Sequence, residues 1–268
     1  MNRANSDKTE LIRVLEGLEI VAPYPAAFLS RSSSLVVSDT HLGIESALAA
    51  KGIYIPDSMF RRTIDSILIP IRETRARILY VLGDLIHSHR KPGEPEWWAV
   101  RKFSEEVRAA GAEPVLVRGN HDLRIATMLR SLQIRYHQRF VRVDDFILTH
   151  GHRKVRLDSQ RGRTKAIIMG HEHPAVSIRG EFGGHGERFK AFLLIKNDPR
   201  GAKRGRPALF VLPSVNPVSI GTDLTSRGAP DDFLSPYLRG IPSRDIQPFV
   251  LEVGELLLPF PSLSFLGS

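Results

Sequence analysis

Short apolar runs, each ending in a glycine, acidic or histidine turn, dominate the first half of the chain. Three of them, Leu35-Val36-Val37, Ile78-Leu79-Tyr80-Val81-Leu82 and Pro114-Val115-Leu116-Val117, have the length of buried strands. Between the first two, apolar residues recur at helical spacing over residues 58–77, where Pro70 is expected to kink or divide the helix. Residues 94–110 predict an amphipathic helix closed by Gly111. Ahead of these, residues 8–16 read as a short helix ended by Gly17, followed by an apolar segment over 18–21.

Beyond a short helix expected over 123–132, the pattern turns strand-rich. Residues 140–143 and 146–149 flank Asp144-Asp145 as a hairpin, and further strands are expected over 166–169, 175–179, 189–195, 207–212 and 249–253. βα units followed by a mostly β second half predict one α/β (α+β) domain over residues 1–268, with two facing sheets and helices outside them. Its core spans about 30–222, and residues 197–248 make an irregular, basic C-terminal part, of which 223–248 carry no readable role.

Hydrophobic residues make up 42% of the chain and charged residues 25%, a composition that supports a packed core. No run approaches the roughly 18 apolar residues of a membrane span. The start, MNRANSDKTELIR, lacks the apolar centre of a secretory leader, so the cytoplasm is the expected address and no membrane partner is expected. The 38 Lys+Arg against 29 Asp+Glu leave a net charge of +9, which suits a polyanion such as nucleic acid. Cysteine is absent, so any metal must be held by His, Asp, Glu or Asn.

That restriction gives weight to five turns rich in such side chains: Ser38-Asp39-Thr40-His41, Gly83-Asp84, Gly119-Asn120-His121-Asp122, Thr149-His150-Gly151-His152 and Gly170-His171-Glu172-His173. Six of the ten histidines fall in them, each turn where a predicted strand meets a loop. Strand ends project side chains into a shared crevice, so ligands distant in sequence can converge. Neutral imidazoles with carboxylate and amide oxygens suit Mn, Fe, Zn or Ni without singling one out. Two cations side by side need a carboxylate between them, and a water bridging them is acidified to hydroxide near neutral pH. Glycines before Asp84, Asn120 and His171 allow close backbone approach.

The order D-x-H, G-D, G-N-H-D, H and G-H-x-H resembles the calcineurin-like metallophosphoesterases. That resemblance implies a four-layer double β-sandwich flanked by helices, and two divalent metal ions. One metal would take Asp39, His41, Asp84 and His173; the other would take Asp84, Asn120, His150 and His171, with Asp84 as bridge. His121 would stabilise the phosphoryl oxygens or protonate the leaving oxygen, and Asp122 would orient its imidazole. Where the superfamily often writes G-D-x-x-D, this chain has Gly83-Asp84-Leu85-Ile86-His87. A narrower resemblance, carried by Asp39-Thr-His-Leu-Gly43, Gly170-His-Glu-His-Pro174, Pro213-Ser-Val-Asn-Pro217 and Gly221-Thr-Asp223, is to the members encoded with a DNA ligase or a large DNA helicase. It implies manganese-dependent phosphodiester hydrolysis in DNA repair, with such a ligase or helicase as functional partner.

Other residues carry weaker signals. His152 reads equally as a support behind the ligands and as a loop histidine, whereas His87 and His89 are expected to line the cleft without binding metal. His137 and His185 lie outside every motif. Residues 153–165 hold six basic side chains, Arg153, Lys154, Arg156, Arg161, Arg163 and Lys165, against Asp158 alone. They read either as a solvated loop or as a strip contacting phosphates that flank the scissile one. A basic hairpin over 200–206 would extend it. Of Trp97-Trp98, one is expected in the core and the other at its edge, not stacking on bases. The leading expectation is a two-metal phosphodiesterase acting on nucleic acid, DNA first, by in-line attack of a metal-bridging hydroxide. The alternatives are a phosphatase or (cyclic) nucleotide phosphodiesterase for small molecules, and a non-catalytic nucleic-acid-binding subunit.

Overall fold

The computed structural model describes residues 9–56, 58–156, 164–178, 186–196, 207–225 and 233–266. The first sheet has seven strands in sequence order: β1 (Glu10–Leu15), β2 (Leu18–Ala22), β3 (Ala27–Leu29), β4 (Ser34–Val37), β5 (Ile78–Leu82), β6 (Glu113–Val117) and β7 (Arg135–His137). Neighbours are antiparallel up to β4, and β4 to β7 run parallel. Residues 10–15 are therefore a strand, not the expected helix. Leu15 pairs with Leu18 across Glu16-Gly17, so Gly17, at φ 83, turns a hairpin instead of stopping a helix. Ile12 and Val14 pack on the inter-sheet core while Leu11 and Arg13 face outward, and pairing to β2 outweighs the weak helical signal.

Four helices join these strands: α1 (Ile44–Ala49), α2 (Ser58–Thr74), α3 (Glu94–Ala109) and α4 (Ala126–Ser131). α2 buries Ile64, Ile67, Leu68 and Ile71, a single face at i, i+3, i+4 and i+7. Pro70 does not divide it; the helix continues one turn, and the Thr74 hydroxyl donates to the Pro70 carbonyl at 2.6 Å. α3 starts where the Gly93 amide donates to Glu96 at 3.0 Å, and it ends before Gly111 at φ 95. Trp97 packs against the core, while Trp98 lies outside it against Phe60, ring centroids 5.0 Å apart.

The second sheet contains β8 (Phe140–Val143), β9 (Phe146–Thr149), β10 (Ala166–Met169), β11 (Pro174–Ile178), β12 (Glu187–Ile195), β13 (Ala208–Val211), β14 (Thr222–Asp223), β15 (Gln247–Glu252) and β16 (Leu256–Pro259). Its order is β14-β11-β12-β13-β10-β9-β8, with β15 pairing to both β12 and β16. β9, β10 and β13 run parallel.

Strand alternation sends apolar side chains to both faces of each sheet. Leu29, Val36, Leu82 and Val117 of the first sheet meet Phe146, Ile168, Phe192 and Phe210 of the second in one buried layer. The far face of the first sheet is sealed by α2, α3 and α4. No α-helix covers the far face of the second among the described residues; Phe233, Tyr237, Leu238, Ile241, Ile246 and Leu263 do so instead. The stretch that was silent in the sequence is thus a fourth layer. No helix is long and apolar enough to cross a membrane among the described residues.

Candidate metal centre

The parallel strands deliver their carboxyl ends to one edge of the molecule. β4 leads into Asp39 and His41, β5 into Asp84, and β6 into Asn120 and His121; β9 leads into His150 and β10 into His171 and His173. The edges of the two sheets are joined there by a parallel bridge between Ser38 and Ser214. Backbone hydrogen bonds tie the loops together, His41 N to Asp84 O at 2.9 Å and Gly170 N to His150 O at 3.1 Å among them. Asp39, His41, Asp84, His171 and His173 all have positive φ, between 43° and 68°. That conformation costs a non-glycine residue on the order of 1 kcal/mol or more and persists only where the surroundings enforce it. Close approach also requires Gly119: a Cβ there would lie 2.1 Å from Asp84 Oδ1 and 2.6 Å from Asp84 N.

Two groups of potential ligand atoms result, Asp39/His41/His173 and Asp84/His150/His171, the atoms of each within 4.8 Å of one another. Asn120 joins the second group, its Oδ1 being 3.0 Å from His150 Nε2. The donor geometry fits cations. His150 Nδ1 lies 2.8 Å from the Leu82 carbonyl and must donate to it. In a neutral ring the opposite nitrogen then offers only a lone pair, aimed at Asn120 Oδ1 and, at 3.5 Å, at Asp84 Oδ1. Acceptors facing acceptors in a buried crevice repel unless a cation lies among them. In the other group, His41 Nε2 and His173 Nε2 face each other at 3.4 Å, and Asp39 Oδ1 is buried without a hydrogen bond although His173 Nε2 is 3.0 Å away. The groups interlock, since Asp39 Oδ2 accepts the His171 amide at 3.0 Å.

Electrostatics keeps His41 and His171 in the neutral form that binds metal. Burial, reinforced by the neighbouring His150, lowers His171 to about 3 and His152 to about 4. Burial also holds His41 well below its ordinary value. Burial would raise the Asp39 carboxyl, but His173, His150 and His41 together pull it below the usual carboxylate range. His173 moves the other way: burial lowers it, yet the charge of Asp39 together with the close contact to its carboxylate and the charge of Asp84 leaves the net shift upward.

His121 borders the first group, its ring 5.2 Å from that of His41. Its Nδ1 lies 2.6 Å from the His87 carbonyl, and His89 stacks on its ring at 3.5 Å. Asp122 does not orient this imidazole. Its two oxygens accept the amides of Leu85 at 2.9 Å and Gly119 at 2.8 Å, so it clamps the β5 and β6 loops together. Burial and the charge of Asp84 raise Asp122 to about 6. His87 lies within reach of His41 and His121, the three forming another group of potential ligands. His137 lies in β7, away from these clusters.

A cavity of about 630 Å³ opens beside Asn120 and is lined by His152 and by Arg153, Lys154 and Arg156 of the basic strip. Lys165 does not join them: Glu16 at 3.0 Å and Asp145 at 3.2 Å hold its ammonium elsewhere. Arg161, Arg163, His185 and the hairpin over 200–206 lie outside the described residues.

Supporting residues surround the ligands: Ser214 and Asn216 lie in the motif over 213–217, whereas Ser219 and Lys190 were passed over in the sequence. Ser214 Oγ donates to Asp39 O at 2.8 Å, Asn216 Nδ2 to Thr40 O at 2.9 Å, and Ser219 Oγ lies 2.9 Å from His173 Nδ1. All three belong to a loop gathered by Lys190, whose buried ammonium donates to the carbonyls of Ser214, Asn216 and Ser219 at 2.8, 2.8 and 2.9 Å. The available signal was a lone lysine inside the apolar run Phe189–Ile195, written F-K-A-F-L-L-I. Glu172 accepts the Ser235 amide at 2.9 Å, and Ser235 Oγ donates to Gly151 O at 2.9 Å, so the fourth layer braces the turns bearing His150 and His171.

The calcineurin-like phosphoesterase family model matches residues 33–180, a span containing every candidate ligand. No curated protein matches the chain. Among solved structures, the Pseudomonas putida nuclease MPE is similar over 94% of this chain and 100% of its own, with a TM-score of 0.61 and 19% identity. YfcE, a phosphoesterase from E. coli, is aligned over 72% of this chain and 83% of its own, with a TM-score of 0.36 and 18% identity. With two facing multi-strand sheets and this family match, the chain belongs to the calcineurin-like phosphoesterases and is a metal-dependent hydrolase.

Proposed function

We propose that this protein hydrolyses phosphodiester bonds of nucleic acid, DNA first, using two divalent cations, manganese first. The observation that carries the reading is the union of two adjoining acceptor-rich ligand groups with a cavity lined by cations. The name of the structurally similar P. putida nuclease favours the same substrate class. The narrower motifs around residues 170–174 and 213–217 support a place beside a DNA ligase or helicase in repair.

In this reading Asp39, His41, Asp84 and His173 hold one cation, and Asp84, Asn120, His150 and His171 the other. Bound there, the ions supply an acidified water and neutralise charge on the phosphoryl group. The protein's part is to fix geometry. In this reading Asp84 would serve both ions, and its Oδ1 accepts the His121 amide at 3.0 Å. With Nδ1 of His121 donating to the His87 carbonyl, Nε2 carries a proton only in the imidazolium. As that cation it assists the leaving oxygen.

The test is turnover of an aryl phosphodiester and of an oligonucleotide with Mn, Zn, Mg and Ni. Asp84→Ala is expected to lose activity on both by roughly 10³-fold or more, because it removes the shared carboxylate. His121→Ala is expected to lose roughly 10²–10⁴-fold in kcat while retaining its metal content. Wild-type rates from Asp84→Ala with added Mn would overturn the mechanism.

A further inference from the structure

The cavity beside Asn120 contains more than the basic strip. One wall is the loop after β6, where Leu123 is 68% exposed, and the other is the edge strand β8, where Phe140 is 39% exposed. Both are large apolar side chains left in contact with solvent. Their positions are fixed relative to the ligands. Phe140 pairs with Thr149, the residue before His150, and Thr149 Oγ1 donates to the Arg139 carbonyl at 2.9 Å. Arg118 spans the walls, donating to Leu123 O at 3.2 Å and to the Gln138 side chain, while its own amide donates to His137 O at 2.9 Å.

Arg31, Arg61 and Lys165 are paired with carboxylates. Arg118, Arg139, Arg153, Lys154 and Arg156 line the cavity with no ion pair to a carboxylate among the described residues. Crowded cations left unneutralised repel one another and are at rest only when an anion arrives. An aromatic ring beside them accepts any base by stacking. The volume, about 630 Å³, falls within the roughly 300–1,000 Å³ of small-ligand sites.

Resting on the proposed nucleic-acid reading, we infer that this cavity is a subsite for the nucleotide flanking the scissile phosphate, its unstacked base lying on Phe140 and Leu123 and its phosphate held by Arg139 and Arg156. The subsite makes the enzyme prefer a strand extending past the Asn120 side of the centre over any short ester. Both DNA and RNA present this chemistry, so both are offered in the test.

The Mn-loaded full chain is assayed on an aryl phosphodiester, which lacks a flanking nucleotide, and on oligothymidylate and oligouridylate. For Phe140→Ala, the ratio of kcat/KM on the faster-cleaved oligonucleotide to that on the aryl ester is expected to fall roughly 5- to 100-fold. Phe140→Trp should restore most of it, which a simple folding defect would not allow. For Arg139→Ala with Arg156→Ala, the same ratio falls and log KM loses salt dependence by roughly 0.7 for each phosphate contact removed. An enzyme that cleaves oligonucleotides with these ratios and salt slopes unchanged overturns the subsite alone. A parent protein that hydrolyses the aryl ester but neither oligonucleotide overturns the nucleic-acid reading and the subsite with it.

Discussion

Lys190 shows how a single side chain governs a site it never enters. The residue is only 8% exposed, and burial pulls its ammonium down to about 7 against the opposing charge of Asp39. Lys190→Met keeps the apolar stem but strands three carbonyls of the loop that supports Asp39, Thr40 and His173. Each orphaned buried acceptor costs roughly 1–3 kcal/mol, so urea denaturation should show a loss of at least that size, with weaker metal retention than in the parent. Gly119→Ala acts by intrusion instead. The added methyl must displace Asp84, and metal content by elemental analysis is expected to drop even where the fold survives. At this scale the sequence was most legible where chemistry restricts residue type: without cysteine, a cluster of Asp, His and Asn at strand ends has few other uses. It was least legible where a side chain serves the backbone. The resemblance implied that Asp122 orients His121, yet the amides of Leu85 and Gly119 claim its carboxylate.

Among the elements, length and period decided what could be read. The five-residue runs of β5 and β6 and the clean apolar face of α2 announce themselves, because burial on both sides or along one stripe leaves a strong pattern. β3, β7 and β14 are two or three residues long and are defined by their neighbours, which no local pattern can encode. Residues 10–15 fall between these cases, since a half-exposed edge strand opposite β2 places apolar residues on both faces, Leu11 outward and Ile12 inward, and so shows no clean alternation. The fourth layer shows the same effect at its largest. It has almost no regular structure, but it covers Ile147, Ile167, Met169, Val176 and Val211. A chain ending at residue 225 is therefore expected to aggregate or to bind a hydrophobic dye strongly, since an apolar sheet face of that extent rarely remains exposed. Tyr237→Phe is the milder version: it removes the hydroxyl that accepts the Val155 amide at 2.6 Å and should lower stability by roughly 0.5–1.5 kcal/mol in thermal denaturation.

For the molecule as a whole, the balance of βα units and later strands was enough to anticipate two facing sheets, and the net charge of +9 was legible as a total. The sorting of that charge was not. Lys165 and Arg31 answer Glu16 and Asp145 across the hairpin turns of both sheets, whereas folding gathers Arg118, Arg139, Arg153, Lys154 and Arg156 around one cavity. Treatment with a chelator is expected to abolish hydrolysis and to lower the unfolding temperature, because ions held by the folded state alone stabilise it in proportion to their affinity. Restoring Mn should recover both. Differential scanning calorimetry alongside an aryl phosphodiester assay checks the pair, and an unchanged melting temperature after complete metal removal would count against ions seated in these ligand groups.

The seam at Ser38 and Ser214 carries one more implication. Neither sheet owns a complete set of donors: Asp39, His41, Asp84 and Asn120 come from one slab, His150, His171 and His173 from the other. An ion in either nest would act as a rivet driven through the join, so prising the slabs apart and surrendering the ions become one event. Each half, expressed alone, would keep only fragments of a cage.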